Sequence, residues 1–207
     1  SLPPPPAATS SSLGRAAEFS AWPSSDDFMI AWMSNWRYAG RAPTSTWRSA
    51  MTLPRALSLR ETSQGLRLAS RLPDDVLRLF REPGAPSDAG GLLVGLLKLC
   101  VSDPRAEVRF SSSRGDVLVV TCDCARARLA VNRSACGPPR ASDDEEEEEE
   151  GDLTAPLYAS FEPIWVALDR TSIEIFASGG CTVLTATFFP QADLSSFEVA
   201  AGSAEVT

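Results

Sequence analysis

From Phe28 onward the chain is a succession of short runs in which apolar and polar residues alternate, separated by clusters of Pro, Gly, Asp and Ser. Period-two alternation in short runs fits half-buried strands and does not fit helices. The runs are Phe28 to Trp36, Ser49 to Leu53, Leu57 to Glu61 and Gly65 to Leu72, then Leu92 to Val101, Ala106 to Ser111, Asp116 to Cys122 and Arg126 to Val131, then Leu157 to Leu168, Ser172 to Ala177, Thr182 to Phe189 and Ser195 to Ala200. Gly65 to Leu72 shows the rule plainly, with Leu66, Leu68 and Leu72 on one face around Arg67 and Arg71. One helical turn is expected, Asp74 to Arg81, with Asp74 or Asp75 capping its exposed N–H groups. No βαβ unit and no internal repeat is visible. The spacing predicts an all-β chain whose final ~130 residues have the size of a two-sheet sandwich.

Composition narrows the chemistry. With 43% hydrophobic residues in 207, a buried core is expected. Residues 1–27 are rich in Pro, Ser and Ala, the composition of a poorly ordered segment. Ser1 in place of an initiator Met is read as a processed or truncated product. The run Asp143 to Glu150 carries eight acidic residues in succession and accounts for the whole net charge of -8. It is read as a solvated loop within 134–152, without the ligand spacing of a calcium site. No apolar run reaches the ~18 residues of a membrane span; Gly90 to Val101 is shorter and contains Lys98. The chain has no histidine, which removes Ser-His and Cys-His nucleophile pairs and His ligation of metals. Arginines are scattered through the strand runs, which gives no basic face for nucleic acid. No metal site and no cofactor are expected.

Five cysteines occur, Cys100, Cys122, Cys124, Cys136 and Cys181. Cys122 and Cys124 share a strand face but do not have zinc-knuckle spacing. All five are read as small buried hydrophobes, with a disulfide as the lesser alternative. Asn132-Arg133-Ser134 is a glycosylation sequon, meaningful if the protein is secreted.

The string Ile30-Ala31-Trp32-Met33-Ser34-Asn35-Trp36, followed by Tyr38-Ala39, places two tryptophans and an asparagine together. Aromatic planes beside amide donors suit sugar rings, which have apolar faces and polar edges; a strand Trp is also an ordinary core residue. The continuation, Pro43-Thr44-Ser45-Thr46-Trp47-Arg48-Ser49-Ala50-Met51-Thr52-Leu53-Pro54-Arg55-Ala56-Leu57-Ser58-Leu59, resembles a segment of glycoside hydrolase family 32, the invertases, inulinases and levanases. Ser49 stands where Gly is common and Ala56 where Glu is common. Ile164-Trp165-Val166-Ala167-Leu168-Asp169-Arg170-Thr171-Ser172-Ile173-Glu174-Ile175-Phe176-Ala177 resembles the D-R-S-S-V-E-V-F string of the same family, and Thr182 to Pro190 continues it.

The resemblance implies the last part of a five-bladed β-propeller over 28–72, followed by a C-terminal β-sandwich over 73–207 that contains the acidic loop 134–152. It implies a parent enzyme that hydrolyses terminal β-fructosidic bonds in sucrose or fructans, secreted as the family commonly is, in which Asn35 and Trp36, with Trp32 as an alternative, help wall the fructose. Alternation sets Trp32, Ser34 and Trp36 on one face and Met33 and Asn35 on the other. Trp47, Arg48, Asp169 and Arg170 are read as scaffold. The family's carboxylates sit in N-D-P-N, R-D-P and E-C motifs, and the sequence contains none of the three. No catalytic residue is therefore assigned. Asp26-Asp27 and Asp74-Asp75 are read as turns or caps, and Glu174 as a structural residue of the sandwich with no partner. The alternative is a non-catalytic remnant or a carbohydrate-binding or structural sandwich.

Overall fold

A computed structural model describes residues 28–34, 39–80, 94–136, 152–159, 162–202 and 204–206. Residues 1–27 and the run Asp143 to Glu150 lie outside the described residues, as do Asn35 and Trp36. In chain order the strands are β1 (Phe28–Met29), β2 (Arg55–Thr62), β3 (Gly65–Arg71), β4 (Gly95–Val101), β5 (Arg105–Ser112), β6 (Val117–Asp123), β7 (Arg128–Asn132), β8 (Leu153–Pro156), β9 (Ile164–Leu168), β10 (Ser172–Ala177), β11 (Thr182–Thr187), β12 (Leu194–Ala201) and β13 (Ala204–Val206), with one helix, α1 (Asp74–Leu79), after β3. Among the described residues the fold is nearly all β, with three short 3-10 turns besides this α-helix.

The strands form three sheets: β1-β2-β3, then β11-β10-β9-β4-β13 and β12-β5-β6-β7-β8. The two five-stranded sheets bury one core between them. Leu99, Ile164, Val166, Ile173 and Ile175 come from the first, and Val108, Phe110, Leu118, Leu129 and Val131 from the second. Alternation does the sorting. In β5, Ala106, Val108 and Phe110 are buried, while Glu107 and Arg109 pair at 2.8 Å on the other face.

β10 breaks that pattern. Ile173 through Ala177 are all buried, although the strand alternates. Ile173, Ile175 and Ala177 enter the sandwich core. Glu174 and Phe176 point the other way and are buried there too, at 2% and 4% exposure, because the N-terminal sheet covers the outer face of this strand.

The N-terminal sheet lies on the sandwich by its arginine side. In the β2–β3 ladder Arg60 faces Arg67 and Leu59 faces Leu68, so the two pairs occupy opposite faces. Arg60 donates to Ser178 O at 3.0 Å and to Glu162 Oε1 at 2.7 Å. Arg67 lies 5.1 Å from the centre of the Tyr158 ring. The opposite face is open: Leu59, Leu66 and Leu68 are 72%, 64% and 57% exposed.

Four local expectations are corrected. The first run is a strand only over Phe28–Met29, with a separate bridge between Trp32 and Met51. Three steps from Met29 to Trp32 are matched by four from Arg55 to Met51, and Pro54, which has no N–H to donate, lies in the longer side. The same slip leaves Ser49 to Leu53 outside any regular strand except at that bridge. The helix is capped by the backbone at Pro73 with no side-chain cap, and Asp74 and Asp75 lie inside its first turn. The run Leu157 to Leu168 is strand only from Ile164; before Pro163, the N–H groups of Tyr158 and Ala159 bond to Ser178 Oγ at 3.0 and 3.2 Å instead of to a ladder.

Candidate functional site

The site begins with the segment around Trp32. Ala31 N–H donates to Thr52 Oγ1 at 3.0 Å, Thr52 N–H donates to Ala31 O at 2.8 Å and Met33 N–H donates to Ala50 O at 2.8 Å. These bonds tie residues 31–33 to 50–52 on either side of the Trp32–Met51 bridge. Met33 turns inward, at 8% exposure, and Trp32 turns outward, at 38%. The opposed directions agree with alternation along an extended chain.

Segment 51–55 is in turn fastened to the sandwich by Glu174. Its Oε1 accepts Leu53 N–H at 2.7 Å and its Oε2 accepts Arg55 Nη2 at 2.5 Å. The same Nη2 donates to Thr185 Oγ1 at 2.6 Å, and the guanidinium stands 5.3 Å from the centre of the Phe176 ring. Glu174 thus has a buried partner, which corrects the expectation that it stands alone. Both side chains are almost wholly buried, at 8% and 3% exposure. The desolvation of both charges is offset only because each has further bonds. Arg55 Nε is buried with no partner among the described residues, which costs about 1–3 kcal/mol and lowers the net worth of the pair.

Between these parts lies a cleft of about 410 Å³, open to solvent. Trp32, Met33 and Ser34 form one wall, Arg55 and Thr52 the floor, and Thr185 to Thr187 of β11 with Arg133 the far side. Arg133 is buried and donates to Thr187 O at 2.6 Å. The residues that line the cleft include an indole, at Trp32, and the hydroxyl-bearing Ser34, Thr52, Thr185 and Thr187. Indole and hydroxyl groups together are able to make ring contacts and hydrogen bonds. Among the described residues the carboxylate beside the cleft is Glu174, which already holds two bonds, so those residues assemble no acid–base pair there.

Of the sequence-predicted wall residues, Trp32 lies at the cleft, and Asn35 and Trp36 lie outside the described residues. Trp47 is 43% exposed on the loop that Arg48 closes by donating to Gly40 O and Ala42 O at 3.0 and 2.7 Å. Asp169 Oδ1 accepts Arg170 N–H at 2.8 Å and Asp169 N–H donates to Ser172 O at 2.9 Å, which shapes the turn into β10. Sequence reasoning missed Arg55 and Arg133 at the cleft. The signal for Arg55 was a charged residue directly after Pro54, at the start of the run Arg55 to Leu59 whose other members are uncharged.

The family model "Glycosyl hydrolases family 32 N-terminal domain" matches residues 14–70, and "Glycosyl hydrolases family 32 C terminal" matches residues 102–207. A levanase of Bacillus sp. (strain L7) is 30% identical over 193 residues, covering 83% of this chain and 20% of the relative. An extracellular exo-inulinase of Aspergillus awamori is 26% identical over 196 residues, covering 86% of this chain and 36% of the relative. The crystal structure of exo-inulinase from Aspergillus awamori superposes with a TM-score of 0.64 at 20% identity, over 86% of this chain and 39% of that one. Sucrose-6-phosphate hydrolase from Lactobacillus gasseri gives a TM-score of 0.63 at 16% identity, over 86% and 38%. The chain spans between a fifth and about a third of the length of these curated relatives. Because the C-terminal model alone takes in half of its residues, the chain belongs to glycosyl hydrolase family 32.

Proposed function

We propose that this chain is the C-terminal portion of a β-fructofuranosidase-like hydrolase whose full-length form cleaves terminal β-fructosidic bonds in sucrose or fructans. The observation that carries this is the order of the two family matches, 14–70 and then 102–207, along one chain. In this reading residues 28–72 belong to the last blade of a five-bladed propeller and residues 73–207 are the sandwich, with 134–152 as its acidic loop. Trp32, Asn35 and Trp36 wall the terminal fructose, and the parent is secreted, as the extracellular exo-inulinase relatives are by name.

The open leucine face supports the same reading. Leu59, Leu66 and Leu68 form an apolar patch on a three-stranded sheet, which leaves a face that propeller blades cover by stacking. Its occupant in the parent is the preceding blade of the same polypeptide. The carboxylates that attack and protonate belong to that preceding part, since the 207 residues contain none of the three motifs.

That same absence favours a second reading, a non-catalytic remnant or carbohydrate-binding sandwich. Reading the gene upstream of Ser1 separates the two. An in-frame stretch with N-D-P-N, R-D-P and E-C motifs gives the hydrolase, and its product releases fructose from sucrose, inulin or levan while the 207-residue chain releases none. A gene without those motifs gives the remnant, and fructose release by the 207-residue chain alone overturns both.

A further inference from the structure

Cys122 and Cys124 lie on one face of the chain at the end of β6, with their sulfur atoms 3.7 Å apart. That is within about 2 Å of disulfide bonding distance. We propose that the two form an oxidisable dithiol, a modification site that small disulfides of the glutathione class convert to an intrachain disulfide.

Position in the strand makes the closure feasible. In extended chain, residues two apart have Cα atoms about 6.7 Å apart, at the top of the range of about 4.4–6.8 Å that a disulfide spans. A pair held in mid-ladder could not shorten that distance. This pair sits where the ladder stops. The pairings Arg105↔Asp123 and Asp123↔Arg128 are the last on either side of β6, and Cys124 begins the turn that leads to β7. Beyond that point the backbone is held by turn bonds, Cys124 N–H to Pro104 O at 2.7 Å and Ala127 N–H to Cys124 O at 3.3 Å.

Access sets the order of events. Cys122 belongs to the core at 5% exposure, whereas Cys124 is only partly buried. Burial pushes the Cys122 thiol up to about 12, so it is not the group that meets a reagent first. The Cys124 thiolate attacks one sulfur of the small disulfide, whose S–S bond breaks. One small thiolate leaves and takes a proton from solvent. Cys122 then gives its proton to solvent and attacks the Cys124 sulfur, forming the Cys122–Cys124 bond and releasing the second small thiolate, which is protonated in turn. Two cysteine thiols are oxidised and one disulfide is reduced to two thiols. A bond at the limit of its Cα span is strained and therefore readily reduced again.

The test treats the reduced, full 207-residue chain with oxidised glutathione, quenches it with an alkylating reagent and maps the thiols by mass spectrometry. The expected product joins Cys122 to Cys124 in one peptide two hydrogens lighter, with the glutathione adduct on Cys124 a transient. Cys122→Ser removes the resolving thiol, and the Cys124 adduct then accumulates. A stable Cys124 adduct in the unsubstituted chain, bonds from either residue to Cys100, Cys136 or Cys181, or both thiols left unreacted each overturns the proposal. The mapping of the unsubstituted chain decides the matter even where the serine variant does not fold.

Discussion

Glu174 and Arg55 are 119 residues apart in sequence and meet at 2.5 Å, one on the outer face of the sandwich and the other at the start of the N-terminal sheet's second strand. The carboxylate also holds Leu53 N–H, so one buried side chain fixes both the charge and the backbone of the segment that bridges to Trp32. Removing Glu174 strands a guanidinium at 8% exposure. Glu174→Ala should lower the unfolding free energy by about 3–5 kcal/mol, whereas replacing both partners by Met should cost less than Glu174→Ala alone. Urea midpoints of the single and double variants check this; equal losses for all three would contradict it.

The turn after β10 carries Ser178, Gly179 and Gly180 in the left-handed region, with φ of 51°, 59° and 91°. A Cβ on Gly179 would lie 1.4 Å from Arg60 Nη1, and a Cβ on Gly180 would lie 2.6 Å from the backbone oxygen of Ser70. The first obstacle is the end of a side chain, which swings away at the loss of its bonds to Ser178 O and Glu162. The second is backbone and cannot. Gly180→Ala should therefore be the more damaging, each substitution adding about 1–3 kcal/mol of left-handed strain. Thermal melts should rank Gly180→Ala below Gly179→Ala, and the reverse order would refute the contact argument.

Asp116 is expected to contribute to loss of stability in acid. Burial alone pushes its carboxyl up, but the hydrogen bonds from Ser112 Oγ and from the N–H groups of Gln191 and Ala192 outweigh this and hold it below the usual 3.8. The folded state thus binds this proton less tightly than the unfolded state. The stabilisation is complete above the unfolded value and is lost as pH falls through the folded one. Stability measured from pH 5 downward should fall less steeply in Asp116→Asn than in the unsubstituted chain. Parallel curves would show that Asp116 makes no such contribution.

The open leucine face should behave as surface in the chain alone. Leu59→Lys with Leu68→Lys should change stability by no more than about 0.5 kcal/mol per site and should raise the concentration at which the chain associates. Limited proteolysis should cut within 28–72 before it cuts the sandwich, because one covered face gives that sheet less to hold it. A loss of several kcal/mol in the lysine variant, or first cuts within the sandwich, would mean that the leucines are already covered.

Much of the β architecture was legible because alternation is a local property. β10 begins and ends where its apolar run does, at Ser172 and Ala177. Less local features were not. Alternation separated Leu66 and Leu68 from Arg67 but could not tell which face the sandwich takes, and the sandwich takes the arginines. The slip at Pro54 needs the partner strand to be seen, since the proline breaks a ladder that lies across from Met29 and Trp32. The cleft was legible only at Trp32. Arg55, Arg133 and Thr185 reach it from three separate elements, and no spacing in the sequence announces that meeting.

β10 also bears on how such a chain changes over generations. Its odd positions answer to the sandwich core and its even positions to the N-terminal sheet. Drift at Ile173, Ile175 or Ala177 is constrained by neighbours in the later half of the chain. Drift at Glu174 or Phe176 is constrained by residues 53 and 55. In a set of related sequences, adjacent columns of this one strand should therefore covary with different halves of the protein, a parity signature by which a detached sandwich that has lost its upstream sheet can be told from one that still carries it.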